Sequence, residues 1–207
     1  MKRLIPFLIV LVPSLALAQP PWHVRPFVIV NHAKWVDGVW TPQIEQAAVD
    51  AVNGDLPAFA SYWFVPAKVY LDHAPKGAMP IEVIDNDTSG WAGEHGPEQI
   101  IVAVQQVIAF PTTMSATIDH EVKESLVDPR LMTTDNEGFP WGTLLIEVCD
   151  PVQDTYYAAS NGQVLQDFVT PAWFNLPDIH NPPVYDFMQT LSTPLTFGPG
   201  GTPSWPN

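Results

Sequence analysis

The chain has one cysteine, Cys149, in 207 residues, so no disulfide can form within it and its stability has to come from packing or from a bound ion. Basic residues are scarce as well: 8 Lys and Arg stand against 22 Asp and Glu. Such an imbalance argues against a nucleic-acid partner or an anionic membrane surface. After residue 18 there is no second long apolar run, no internal repeat, no glycine-rich phosphate loop and no G-x-S-x-G nucleophile elbow. Charged residues make up only 14% of the chain, and 23 Pro and 8 Trp accompany them, so it is not a disordered acidic polymer. Clustered carboxylates instead make cation binding the natural electrostatic inference.

Residues 1–18 begin with Lys2 and Arg3, continue through an apolar run and end Ala16-Leu17-Ala18. This is the pattern of a secretory signal peptide with a small-residue cleavage site, and it predicts a product that is secreted or periplasmic and not membrane-embedded after cleavage. Residues 19–190 suit a single domain. Residues 191–207, rich in Pro, Gly, Ser and Thr, predict a poorly ordered tail.

Along the domain, residues 27–30 predict a buried strand. Thr41-Pro42 predicts a helix start, with Asn53-Gly54 as its end. Residues 56–64 read as a short helix or turn, and residues 68–71, 81–84 and 100–107 as strands. Strand, helix, strand, strand suggests a mixed sheet backed by a helix. A hairpin is expected over 156–169 with its turn at Ser160-Asn161-Gly162, and a last short helix over 185–191. The Asp85-Asn86-Asp87 loop lacks the full calcium-loop pattern and reads as an Asx turn.

The chemistry concentrates at residues 117–129, a helix carrying H-E-x-x-E and stopping at Asp128-Pro129. At about 100° per residue, His120, Glu121, Glu124 and Asp128 share one face, and Ile118, Val122, Ser125 and Leu126 the other. His120 and Glu124 are one turn apart, the spacing by which H-E-x-x-H holds one zinc with its Glu as general base; here the second histidine is a glutamate. A third donor would come from Glu147 or, next, Asp150. Asp128 lies about 12 Å along a straight helix from His120, too far to share an ion, and reads as a helix-terminal group. Cys149 reads as a buried thiol. His95, in a turn-rich loop, is a candidate to polarise substrate, and Tyr156 or Tyr157 to donate to an oxyanion. Two carboxylates and one imidazole cancel the charge of a divalent ion, which tilts preference from zinc toward harder cations.

His120–Pro129 (H-E-x-x-E-x-x-x-D-P), Glu147–Val152 (E-V-C-D-P-V) and Asp167–Phe174 (D-F-V-T-P-A-W-F), in that order, resemble a family of phage, prophage and bacterial proteins with a zincin-like, metallopeptidase-type core. The resemblance implies an α+β fold with a mixed β-sheet, backing helices, an active-site helix and a small β-rich C-terminal part. Together with the chemistry of the motif helix, the expectation is a zinc-dependent peptidase acting on a peptide or protein, with Glu121 as base, His95 assisting, and the metal on His120, Glu124 and Glu147 or, next, Asp150. The alternative is a non-catalytic binding or structural module that keeps the fold and a stabilising ion.

Overall fold

The computed structural model describes residues 23–110, 112–131, 133–134 and 144–204. The expected signal peptide lies outside the described residues. The architecture is mixed α/β, with a five-stranded sheet, three helices and two small two-stranded ladders. β1 (Arg25–Asn31), β2 (Ala67–Tyr70), β3 (Met79–Ile84), β4 (Gly93–His95) and β5 (Ile100–Ala103) form the sheet in the order β2-β1-β3-β5-β4. All neighbours run parallel except β4, which pairs antiparallel with β5 at the edge. Phe27, Ile29, Val69, Ile81, Val83, Ile100 and Val102 point from alternate positions into the core. Among the described residues no helix is long and apolar enough to cross a membrane.

Helix α1 (Pro42–Trp63) starts where the Thr41-Pro42 signal puts it, the Thr41 hydroxyl accepting from the Ile44 amide at 3.2 Å. It does not stop at Asn53-Gly54. The Asn53 side chain is engaged elsewhere: it donates to Val69 O and accepts from Val69 N, both at 2.8 Å, and so satisfies the outer edge of β2. The helix therefore absorbs the separate element expected over 56–64 and ends at Phe64, in the left-handed region. A second difference follows β5. The strand expected to reach 107 turns at Ala103 into α2 (Val104–Ala109), which buries Val104 and Val107 at helical spacing.

Helix α3 (Met114–Val127) carries the H-E-x-x-E pattern and is capped by Thr113, which accepts from Ala116 N. At its other end Arg25 donates to Ser125 O at 3.0 Å, a cation on carbonyls that the helix itself leaves open. Ile118, Val122 and Leu126 are core as expected, yet Asp119 and Lys123 are fully buried too. The Lys123 Nζ lies 2.6 Å from Asp119 Oδ2 and 2.9 Å from Asp55 Oδ2 on α1, and donates to Gln166 O at 2.8 Å. Burial alone would lower its pKa, but the two carboxylates outweigh burial and hold the ammonium above its ordinary range. This network fastens α3 to α1 and to the strand Val164–Gln166, which pairs with Tyr156–Ala158 in the expected hairpin.

Two C-terminal expectations fail. Residues 185–191 form no helix, because the Asp186 carboxylate takes the Thr190 and Leu191 amides and the Thr190 hydroxyl, each at 2.8 Å, and folds the segment into a turn. Residues 191–204 are a packed strap, not a disordered tail. Trp173 donates to Thr196 O, Gly198 N to Pro151 O, Thr202 N to Asp150 O and Leu145 N to Ser204 O. Gly201 permits the approach, since a Cβ there would stand 2.0 Å from Pro151 O.

Asp167 and Asp186 are both fully buried side by side. Burial first, and then the neighbouring Asp186 carboxylate, push Asp167 up to about 8. The folded state therefore holds a proton that the unfolded chain, with an aspartate near 3.9, has already lost, and stability falls as pH rises from about 4 to about 8. Asp167→Asn, whose amide donates to Asp186 without a proton, should flatten that slope by up to about 1.4 kcal/mol per pH unit, as read by urea unfolding of both proteins across the interval. Lys123→Ala leaves two buried carboxylates uncompensated and should cost about 3–5 kcal/mol in the same measurement.

Candidate metal centre

The amino-terminal half of α3 faces a cleft of about 550 Å³ roofed by β4 and walled by residues from the strap and from the segment around the 3-10 turn Asp150–Val152. His95, His120, Glu121, Glu124, Glu147 and Asp150 all reach it. No Lys or Arg lines it among the described residues.

Glu124 is central. Its Oε1 accepts from the Cys149 amide at 3.0 Å and the Asp150 amide at 3.3 Å, so the turn that presents Asp150 is hung on this carboxylate. Its Oε2 points the other way, 3.1 Å from His120 Nε2 and 3.9 Å from His95 Nδ1. Asp150 Oδ1 completes the surroundings of His120 Nε2 at 3.4 Å, while Asp150 Oδ2 meets the hydroxyl of Ser204 in the strap. Glu147 Oε2 instead comes to 3.8 Å from His95 Nε2, and has no hydrogen-bond partner among the described residues. Both carboxylates named from the sequence thus reach the cleft, Asp150 nearer His120 and Glu147 nearer His95. The 3-10 turn brings Asp150 back toward α3, which sequence spacing could not indicate.

His95 is buried on β4, its side chain 4% exposed. Its Nε2 faces Asp128 O at 3.2 Å and its Nδ1 faces Glu121 Oε2 at 3.5 Å. It therefore stands in the cleft beside Glu121. Asp128 sits at the helix C-cap, as its distance along the helix required, and contributes its carbonyl to His95. Of the two tyrosines, Tyr156 lines the cleft, and Tyr157 turns inward to within 3.2 Å of Lys123 Nζ. Cys149 is fully buried. Burial and the neighbouring Glu124 push its thiol well above the usual range, although its sulfur is near enough to His120 and Glu124 to share an ion.

The electrostatics are those of crowded carboxylates. Burial, then Glu124 and Asp150, push Glu147 up to about 11. Burial raises Glu121 against the opposing pull of His95 and His120. Burial works against the charged imidazole of His120, but Glu124 and Asp150 outweigh it and raise the group well above its ordinary value. Glu124 itself is lowered, because His120 beside it overcomes burial. Among the described residues, two groups of three donors could hold an ion: His120, Glu124 and Cys149, and His95, Glu124 and Glu147. The Asp85-Asn86-Asp87 loop is, as expected, an Asx turn, with Asp87 Oδ2 accepting from Ser89 N at 2.7 Å.

Sequence reasoning missed the strap, whose Thr202, Pro203 and Ser204 line the cleft; nothing in a Pro/Gly-rich stretch announces such a contact. It also missed Gly93. A Cβ there would lie 2.6 Å from Glu121 Oε1 and 2.8 Å from Thr117 Cγ2, so the edge strand can lie this close to α3 only without a side chain. Comparison of the chain with models of known protein families, with curated proteins and with solved structures finds no match.

Gly93→Ala should displace Glu121 and cost about 1–3 kcal/mol of stability. Gly54→Ala, in the exposed face of α1 with nothing within 4 Å, should instead be neutral or stabilising by up to about 1 kcal/mol. Thermal unfolding of the pair checks both signs.

Proposed function

We propose that the protein is a metal-dependent hydrolase of the metallopeptidase type, cleaving a peptide bond with a metal-activated water and Glu121 as general base. The observation that carries this reading is the convergence of His120 Nε2, Glu124 Oε2 and Asp150 Oδ1, at 3.1 and 3.4 Å from the imidazole, beside a buried glutamate that is not one of the three. Bonds of about 2.1 Å at tetrahedral angles put donor atoms roughly 3.4 Å apart, and the separations of Glu124 and Asp150 from His120 are close to that. The fit extends to charge, because a cation in place of protons relieves the repulsion among the carboxylates. Zinc is one candidate, and the oxygen-rich donor set equally suits a harder ion such as manganese.

A bound divalent ion would supply Lewis-acid polarisation of the carbonyl and a lowered pKa for the attacking water. The chain's own groups do the rest. Glu121, raised by burial, accepts the proton of the water and returns it to the leaving amine nitrogen. His95 flanks Glu121, its Nδ1 3.5 Å from Oε2. Tyr156, in the cleft wall, is placed to donate its hydroxyl to the oxyanion. The antiparallel edge strand over a helix bearing H-E-x-x-E supports a zincin-like arrangement, and the expected signal peptide would put the reaction outside the cytoplasm.

Glu121→Gln should retain its metal and lose cleavage of an unstructured protein substrate by about 10²–10⁴-fold. His120→Ala should lose the metal as well. Metal content by mass spectrometry beside a proteolysis assay decides it: metal in the wild type with no cleavage would favour a non-catalytic, ion-stabilised binding module, and equal metal in wild type and His120→Ala would sink the assignment of the site.

A further inference from the structure

We infer that the centre is binuclear, holding two divalent cations that share Glu124 Oε2. The inference rests on the metal-site reading above and goes beyond it in stoichiometry and in the roles of His95 and Glu147. The donors divide into two sets. His120 Nε2 has Glu124 Oε2 at 3.1 Å and Asp150 Oδ1 at 3.4 Å, while His95, Glu147 and Glu124 form a separate group whose donor atoms lie within 4.8 Å of one another.

Three observations support a second ion. The first is the state of Glu124, whose Oε1 is occupied by two backbone amides. Oε2 is then the one atom able to serve both sets, at 3.1 Å from one histidine and 3.9 Å from the other. A single bridging oxygen with bonds of about 2.1 Å is compatible with ions roughly 3.5–4 Å apart, the spacing of two-metal hydrolytic sites. The second is the orientation of His95. Its Nε2 donates to Asp128 O at 3.2 Å, and its Nδ1 faces the Glu121 and Glu124 carboxylates at 3.5 and 3.9 Å. A ring nitrogen facing carboxylate oxygens carries a proton or a cation, and a backbone carbonyl on the other ring nitrogen is the usual support of a metal-ligating histidine. The third is Glu147, 7% exposed, with Oε2 lacking a hydrogen-bond partner among the described residues although it lines the cleft.

Charge balance points the same way. Glu121, Glu124, Glu147 and Asp150 place four carboxylates in one largely buried cluster with two imidazoles and, among the described residues, no Lys or Arg in the lining. One divalent cation leaves two negative charges without compensation, and two cations neutralise the set. The unpaired remainder is costly in a buried site. Glu121 stays outside both donor sets and keeps its role as base.

The full chain, stripped with a chelator and reloaded with Mn²⁺, tests this by metal stoichiometry and by electron paramagnetic resonance. Wild type should bind two equivalents and give an exchange-coupled spectrum. His95→Ala and the milder Glu147→Gln, each checked for folding by circular dichroism, should bind one equivalent and give an uncoupled spectrum. One equivalent in the wild type with an uncoupled signal would overturn the binuclear centre and leave a mononuclear hydrolase standing. No bound metal would overturn both. Two equivalents retained by both variants would put the second ion elsewhere and overturn the assignment.

Discussion

Helix α3 carries Asp119, Glu121, Lys123 and Glu124 within six residues, and all four are buried. Charged groups removed from water need partners, and the partners found here account for much of the tertiary arrangement. On one side, Lys123 binds Asp119 and the Asp55 carboxylate of α1, and reaches the hairpin through Gln166 O. On the other, Glu124 takes the amides of Cys149 and Asp150. The helix is thus anchored by its rear charges and organises the site with its front ones.

The two sides differ in how completely they are satisfied. Behind the helix, an ammonium faces two carboxylates at salt-bridge distance. In front, four carboxylates and two imidazoles face one another, and burial, with the neighbouring Glu124 and Asp150 carboxylates added, drives Glu147 up to about 11. A fold that neutralises one set of buried charges by ion pairing and leaves the other crowded has a place for a cation, and the crowding is confined to the cleft. The strap strengthens this asymmetry: Ser204 fixes one Asp150 oxygen and leaves the other toward His120.

Local signals were legible where a residue's partner is close in sequence. Thr41-Pro42 caps α1 and Ser160-Asn161-Gly162 turns the hairpin, because each depends on backbone groups a few positions away. They misled where a side chain was used over distance. Asn53 looked like a helix stop and is instead bonded to Val69, sixteen residues on. Asp186 looked like part of a helix and caps a turn. The Pro/Gly composition of residues 191–204 suggested disorder, but proline and glycine are also what let a strap lie flat against Pro151 and Asp150.

The sequence by itself determined the helical phase of H-E-x-x-E, and therefore that His120 and Glu124 share a face with Glu121 beside them, since the 3.6-residue period leaves no other choice. It also set the acidic character that makes a cation the natural ligand. Only the tertiary structure decided which distant groups meet that face. The 3-10 turn selects Asp150 for His120, the antiparallel edge strand lowers His95 onto Glu121 through the gap at Gly93, and Glu147 falls beside His95. Those choices depend on strand order and on the path of loops, which spacing along a chain does not encode.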